Sequence, residues 1–383
     1  MSRSAQTSAA GVQRADSEPA AHRGKLGTAT VSQLADWDGD LGEPSLTFTA
    51  GDARKTGLPD NSVDLIVTSP PYWNKRDYGH SDQIGLEATP EAYVNAILEC
   101  LEEWKRVLRP HGSVFLNVGD TYHNKSLLGI PGRIEWDAVN TAGWLVRNRI
   151  IWAKEVGMPD PVKNRLANRH EYVIHLTYKP DYYYDLVGYS AAVGNGANPG
   201  DVWTINPERN MGQHLAPYPR ELVRRAILLA APPQMCAECH VPRRRVTERT
   251  SELDPTRPQA RRAMELAKEH GLTDVHIRAI QSSGVSDVGK AMKFQNGTGR
   301  NSAEVQRLAA EAKSVLGGYF REFTFAKKRT VGWTDCGHGA PARGVVLDPF
   351  AGTGTTLKTA VEEGRDAIGV DLVPLMSQPE VGA

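Results

Sequence analysis

Two short runs in this 383-residue chain carry residue types suited to chemistry. The first is Thr68-Ser69-Pro70-Pro71-Tyr72, at the end of the apolar stretch 63–67. Ser69 offers a hydroxyl oxygen and Pro70 a backbone carbonyl, two acceptors side by side. Proline fixes the backbone and brings no competing N–H. Such acceptors can hold the protons of an amine whose lone pair is delocalised into a ring. They draw the nitrogen toward a tetrahedral, nucleophilic shape. Tyr72 adds a flat face for stacking. No metal or covalent nucleophile is needed, and positioning would supply most of the rate.

The second run is Asp348-Pro349-Phe350-Ala351-Gly352-Thr353-Gly354-Thr355-Thr356. Gly352 and Gly354 make a tight turn between a strand and a helix, where a ligand can approach the backbone closely. Asp371 follows the next strand, where a carboxylate can accept from ribose hydroxyls. Nicotinamide and flavin sites use similar turns. This one is neither Gly-x-Gly-x-x-Gly nor a Walker loop.

A third group is Cys236-Ala237-Glu238-Cys239 with Cys336-Gly337-His338 far downstream. Together they could form a Cys₃His tetrahedral zinc site. His240 is an alternative fourth ligand, and a redox Cys-x-x-Cys is the other reading. Cys100, inside a predicted helix, reads as a buried small apolar residue.

The first two runs together resemble the motifs of the amino-methylating DNA methyltransferases. Catalytic run first and cofactor run last resembles the permuted β group of that family. The resemblance spans about residues 45–373, with gaps at an insertion. It implies a Rossmann-like S-adenosylmethionine-dependent α/β fold, with a mostly parallel sheet and helices on both faces. It implies that Ser69, Pro70, Pro71 and Tyr72 hold a flipped base. Asp348 would lie near the methionine moiety, with Pro349, Phe350, Gly352, Gly354, Thr355 and Thr356 lining the pocket. Asp52 matches the acidic position near the adenine ring. His214-Leu215-Ala216-Pro217-Tyr218-Pro219 resembles the segment that closes over the methionine end, which brings in His214 and Pro219. Little chain follows Asp371, so the segments around Asp52 and His214 are expected to close the pocket. In the family, Ser at position 69 tends to go with cytosine N4 and Asp with adenine N6. Related enzymes carry cysteine pairs around an insertion before the cofactor motif, with Cys where this chain has His338. The expected activity is methyl transfer to cytosine N4. The alternatives are adenine N6 and a DNA-binding protein with an inactive methyltransferase scaffold.

The elements must bring these runs together. Residues 45–49 and 63–67 read as strands, the second by its β-branched run. Residues 91–108 have helical spacing, with Tyr93, Ile97, Leu101, Trp104 and Leu108 on one face, and Arg109-Pro110-His111-Gly112 is expected to stop that helix. Strands are predicted over 113–118, 145–153, 171–177, 345–347 and 366–370, and helices from about Arg220 and over 355–363. The alternation indicates a mostly parallel sheet, and both runs fall at carboxyl ends of strands, where open α/β sheets bind ligands.

Lys+Arg and Asp+Glu are both 45. Residues 241–330 hold 18 Lys/Arg against 10 Asp/Glu, a balance of 18 − 10 = +8. A basic segment on a neutral protein fits a nucleic-acid clamp. The expected organisation is a disordered tail 1–27, a catalytic domain 28–235 with 331–383, and a basic helical insertion 236–340 bounded by the cysteines. Recognition of double-stranded DNA has two candidates. One is the stretch with Lys154, Lys163, Arg165, Arg169 and Tyr182-Tyr183-Tyr184, where Asn195-Gly196 reads as a flexible tip. The other is the insertion, with Arg243-Arg244-Arg245, Arg261-Arg262 and Lys327-Lys328-Arg329. No window of about 18 apolar residues suggests a membrane span. Four cysteines without an export signal argue for a reducing compartment. The chain is expected to be a cytoplasmic bacterial or phage protein, a monomer or homodimer, alone or paired with a restriction endonuclease.

Overall fold

The computed structural model describes residues 41–156, 162–194, 198–208, 218–284 and 301–373. The tail 1–27, the Asn195-Gly196 tip and His214 lie outside them. Eight strands form one sheet. In chain order they are β1 (Leu46–Ala50), β2 (Val63–Thr68), β3 (Leu108–Val118), β4 (Leu145–Ala153), β5 (His170–Thr177), β6 (Val202–Thr204), β7 (Val345–Asp348) and β8 (Asp366–Asp371). Their order across the sheet is β1-β8-β7-β2-β3-β5-β4-β6. Only β5 runs against its neighbours β3 and β4; the other adjacent pairs are parallel.

β2 is buried at all six positions, as a parallel strand covered on both faces should be. Alternate side chains enter different cores. Ile66, Val114, Leu116 and Val118 pack with α1 (Pro90–Val107) and α2 (Ile130–Asn140). Leu65, Val67, Phe115 and Val173 pack with α3 (Leu186–Val193), α4 (Arg220–Ala230) and α9 (Thr355–Glu362). The expected helices on both faces are therefore present.

α1 begins at Thr89, whose side chain accepts from the Ala92 N–H, with proline in the first turn. The sequence expected Arg109-Pro110-His111-Gly112 to be a helix stop. Those residues instead open β3, paired irregularly with β2. A Cβ at Gly112 would lie 2.8 Å from the Asp64 carbonyl oxygen, so only glycine fits. The Asp64 carboxylate, fully buried, accepts from Arg109 Nη1, the Val345 N–H and the His111 ring, each at 2.7 Å. It ties β2, β3 and β7 together at their amino ends.

The insertion is helical but stands on a β ribbon that the sequence did not suggest, Arg245–Arg249 against Lys328–Trp333. Beyond it α5 (Pro258–Glu269), α6 (Asp274–Ser283), α7 (Ala303–Leu316) and α8 (Phe320–Thr324) share a separate small core of Ala263, Ile277, Ile280, Ala312, Leu316 and Phe323. Its root lies at the amino ends of the central strands. Arg245 pairs with Asp185 at 2.9 Å, and Arg244 with Asp181 at 3.0 Å. The nearby Tyr183 N–H donates to His111 O at the entry of β3. Arg243 lies 3.5 Å from Asp335. The run Arg243-Arg244-Arg245, a candidate phosphate contact, thus anchors the insertion. Tyr182-Tyr183-Tyr184, a candidate DNA contact, is also at this end: Tyr183 is buried and Tyr184 stacks on His175.

Candidate active site

Both sequence runs meet at the carboxyl edge of the sheet. Thr68 ends β2, and its hydroxyl donates to Asp348 Oδ1 at 2.6 Å, joining β2 to β7. Asp348 is 1% exposed. Its Oδ1 also accepts from the Phe350 N–H (3.1 Å), and its Oδ2 from Thr356 Oγ1 (2.5 Å) and Tyr218 Oη (3.0 Å). A carboxylate has about four acceptor sites, and four donors from the protein fill them. Asp348, expected near the methionine moiety of a cofactor, is a buried post beneath the glycine turn. Burial pushes its carboxyl pKa up against the pull of those donors. Thr356, also expected to line the pocket, is fully buried and spends its hydroxyl on the same post. Tyr218, from the segment expected to close the pocket, reaches the same carboxylate, and Pro219 caps α4.

Above the post, Gly352 (φ +50°) and Gly354 (φ +78°) turn in the left-handed region that favours glycine. A Cβ at Gly352 would meet nothing within 4 Å, so the turn opens onto free space. Asp371 Oδ2 accepts from the Gly352 N–H at 2.8 Å, fixing the turn to the end of β8. Phe350 is half-buried and meets Trp104 edge-on, with centroids 6.3 Å apart. Pro349 is buried and Thr355 opens α9. Asp52 sits in the turn after β1. Burial pushes its carboxyl up, but hydrogen bonds and charge from Arg54, with Nη2 at 2.7 Å, outweigh it and hold it below its ordinary value.

Beside this turn stands Ser69. Its oxygen accepts from Asn117 Nδ2 at 3.2 Å and lies 3.5 Å from Tyr72 Oη. Tyr72 Oη donates to Glu171 Oε2 at 2.5 Å and accepts from Asn117 Nδ2 at 2.8 Å. Burial and the Glu171 carboxylate push the phenol pKa well up, which keeps it protonated. Glu171 Oε1 pairs with Lys154, whose Nζ sits 4.1 Å over the Trp152 ring. The antiparallel direction of β5 matters here. It brings that strand's amino end, with Glu171, to the carboxyl ends of β2 and β3. Neither Asn117 nor Glu171 was singled out in the sequence. The available signal was a polar residue between Leu116 and Val118, and an acid at the head of an apolar strand. Lys154, a candidate DNA contact, is engaged inward.

The family model described as DNA methylase, covering N6 and N4 amino-methyltransferases, matches residues 63–235 and 338–374. The chain belongs to this family. The unmatched gap between the two segments coincides with the insertion. Over 220 residues the methylase is 35% identical to the type II methyltransferase M.Cfr9I of Citrobacter freundii, covering 49% of this chain and 73% of that protein. To M.SmaI of Serratia marcescens it is 31% identical over 224 residues, covering 49% and 76%. Among solved structures it is similar to PvuII DNA methyltransferase (cytosine-N4-specific), with TM-score 0.49, 14% identity, and coverage of 89% of this chain and 91% of that one. The mostly parallel sheet with helices on both faces is the Rossmann-like fold expected from the sequence.

The structure also gathers Cys236, Cys239, Cys336 and His338, whose ligand atoms all lie within 4.8 Å of one another. The hairpin of Met235–Cys236 with Pro341–Ala342 sets the spacing. Backbone N–H groups of Cys239 and Glu238 point at Cys236 Sγ (3.5 and 3.4 Å) and, with the Cys239 donation largest, lower that thiol to about 6. His240, the alternative ligand, is not in the group. Among the described residues no helix is long and apolar enough to cross a membrane.

Proposed function

We propose that this methylase is a type II enzyme that modifies the exocyclic N4 of cytosine in a base flipped out of double-stranded DNA. The observation that carries the choice of base is Ser69, a neutral hydroxyl where the family's adenine enzymes tend to have Asp. Asn117 donates to that hydroxyl and leaves its other acceptor site for the amine. Pro70 O accepts the second amine proton, and the Tyr72 ring supports the base. Gly352, Gly354, Phe350, Asp52 and Asp371 would hold the cofactor: the open turn admits its backbone-hugging part, and Asp371 has lone pairs left for ribose hydroxyls. S-adenosylmethionine, when bound, supplies an electrophilic methyl group. The relatives' type II names support a companion restriction endonuclease and action on cytoplasmic DNA.

DNA is read, in this reading, at the carboxyl edge, where Arg165 stacks 4.1 Å over the Tyr122 ring. The root of the insertion lies one strand length away, roughly 20 Å for six residues. Its exposed Arg and Lys side chains would add phosphate contacts rather than base readout.

The cysteine cluster fits structural zinc. Three thiols and an imidazole are its usual donors, and bonds of about 2.3 Å in a tetrahedron put sulfurs about 3.8 Å apart. Zinc would fasten the insertion root to β7.

The deciding experiment incubates the protein with tritiated S-adenosylmethionine and unmethylated genomic DNA, then analyses nucleosides by mass spectrometry. N4-methylcytosine that vanishes in Ser69→Ala is the expected result. N6-methyladenine would keep the family and overturn the assignment of the base.

A further inference from the structure

Methyl transfer to an exocyclic amine leaves a proton to dispose of, and serine is no base. We propose that Ser69, Tyr72 and Glu171 form a relay that carries this proton from the amine to the Glu171 carboxylate. The inference rests on the amino-methyltransferase reading of the same site.

The donors and acceptors fit one direction only. Tyr72 Oη gives its proton to Glu171 Oε2 at 2.5 Å, so it can take one only from outside. Asn117 Nδ2 lies 3.2, 2.8 and 3.1 Å from Ser69 Oγ, Tyr72 Oη and Glu171 Oε2, and its two protons are shared among the three oxygens, so its N–H side faces all of them. With the amide protons facing it, Ser69 turns its own proton to Tyr72 Oη, 3.5 Å away, and keeps a lone pair for the amine. Lys154 holds the far carboxylate oxygen. Asn117 Oδ1 is buried without a partner, so the amide is held by its donor side alone.

The bookkeeping closes. The bond from the amine nitrogen to the methyl carbon forms as the carbon–sulfur bond breaks, its electron pair passing to sulfur. The nitrogen, now cationic, releases one proton to Ser69 Oγ. The Ser69 proton moves to Tyr72 Oη, and the Tyr72 proton to Glu171 Oε2. The carboxylate ends neutral beside Lys154, and every oxygen in the chain regains its starting proton except Glu171, which gains one. No other oxidant, base or metal is required. Asn117 and Lys154 are positioning residues.

The test is single-turnover methyl transfer to DNA as a function of pH, for wild type, Tyr72→Phe, Glu171→Gln and Glu171→Asp, with S-adenosylmethionine affinity by calorimetry. The groups facing Glu171 are Tyr72, Asn117 from β3 and Lys154, the residue after β4. Wild type should show an acid limb, because the relay needs an open acceptor at its end. Tyr72→Phe, which keeps the ring, should be about 100-fold slower and lack that acid limb, with cofactor affinity unchanged. Glu171→Gln should match it, and Glu171→Asp should restore part of the rate and the limb. Slow variants that keep the wild-type acid limb would mean a packing role and overturn the relay, as would a Tyr72→Phe enzyme at wild-type rate. Wild type that binds cofactor but methylates no DNA would instead overturn the parent reading.

Discussion

His175 lies on β5 between the rings of Phe115 (centroids 4.4 Å apart) and Tyr184 (5.8 Å). Burial, with a smaller push from Arg147, lowers its pKa from 6.5 to about 3. Its Nε2 meets Ser113 Oγ, and its Nδ1 is buried without a partner. The unfolded chain therefore binds a proton that the folded one refuses between those two values. Stability is full above pH 6.5 and falls as pH drops toward 3, by about 1.4 kcal/mol per unit from this one group. Urea titrations of His175→Gln from pH 7 to 5 should show a shallower loss than wild type; an equal slope would mean the ring is protonated in the fold. Such a residue is invisible in a motif. Ser69 and Gly352 were legible because their types mean something in short runs. Asn117 and Glu171 were not: Asn117 is one polar residue in an apolar strand, and Glu171 reaches Tyr72 only through a strand reversal that no local pattern announces. Asp348 was legible as important, but its four donors, from β2, the residue before the cap of α4, α9 and its own turn, were not.

Among the elements, β2, β4, β5, β7, β8 and the helices α1, α4 and α9 lay within a residue or two of their sequence-based spans. Each is an apolar run with a clear period and a turn at its end. α2, α3 and β6 were missed, and the ribbon beneath the insertion was read as helical surroundings. Its strands are mostly Arg, Thr, Glu and Lys, and Val246, Val331 and Trp333 are too few to make a clear hydrophobic period. Two elements yield further predictions. At the end of β3, a Cβ on Gly119 would stand 2.7 Å from Tyr72 Cε2. Gly119→Ala should displace the ring and slow methylation about 100-fold, while calorimetry finds the cofactor affinity intact. At the insertion root, chelation should release about one zinc per chain by elemental analysis. The same treatment, or Cys239→Ser, should expose the ribbon 245–249/328–333 to trypsin while the sheet keeps its far-ultraviolet dichroism. Metal-free protein with an unchanged digestion pattern would sink the zinc assignment.

At the scale of the molecule, the insertion is a separable body. Its core shares no residue with the two cores around the sheet, and its chain enters and leaves at adjacent points, with the Thr250 N–H donating to Lys327 O at 3.1 Å. Replacing residues 251–326 by a short turn should leave a folded protein that binds S-adenosylmethionine as tightly as wild type but holds DNA more weakly. Aggregation of that variant would show that the sheet depends on the insertion. The order of the sheet has its own outcome. Among the described residues β1 has one neighbour, β8, and the contact between Ser45 and Asp366 joins residues 321 apart in sequence. On a ribosome, β1 waits without a partner while the intervening chain is made, and the gap between it and β2 stays open until β7 and β8 arrive to fill it. The turn of Gly352 and Gly354, with its Asp371 clamp, is assembled by that same late event. Pairings so distant form slowly. The Gly352–Gly354 turn thus cannot close until residue 371 has been made, long after β1 and β2 have left the ribosome.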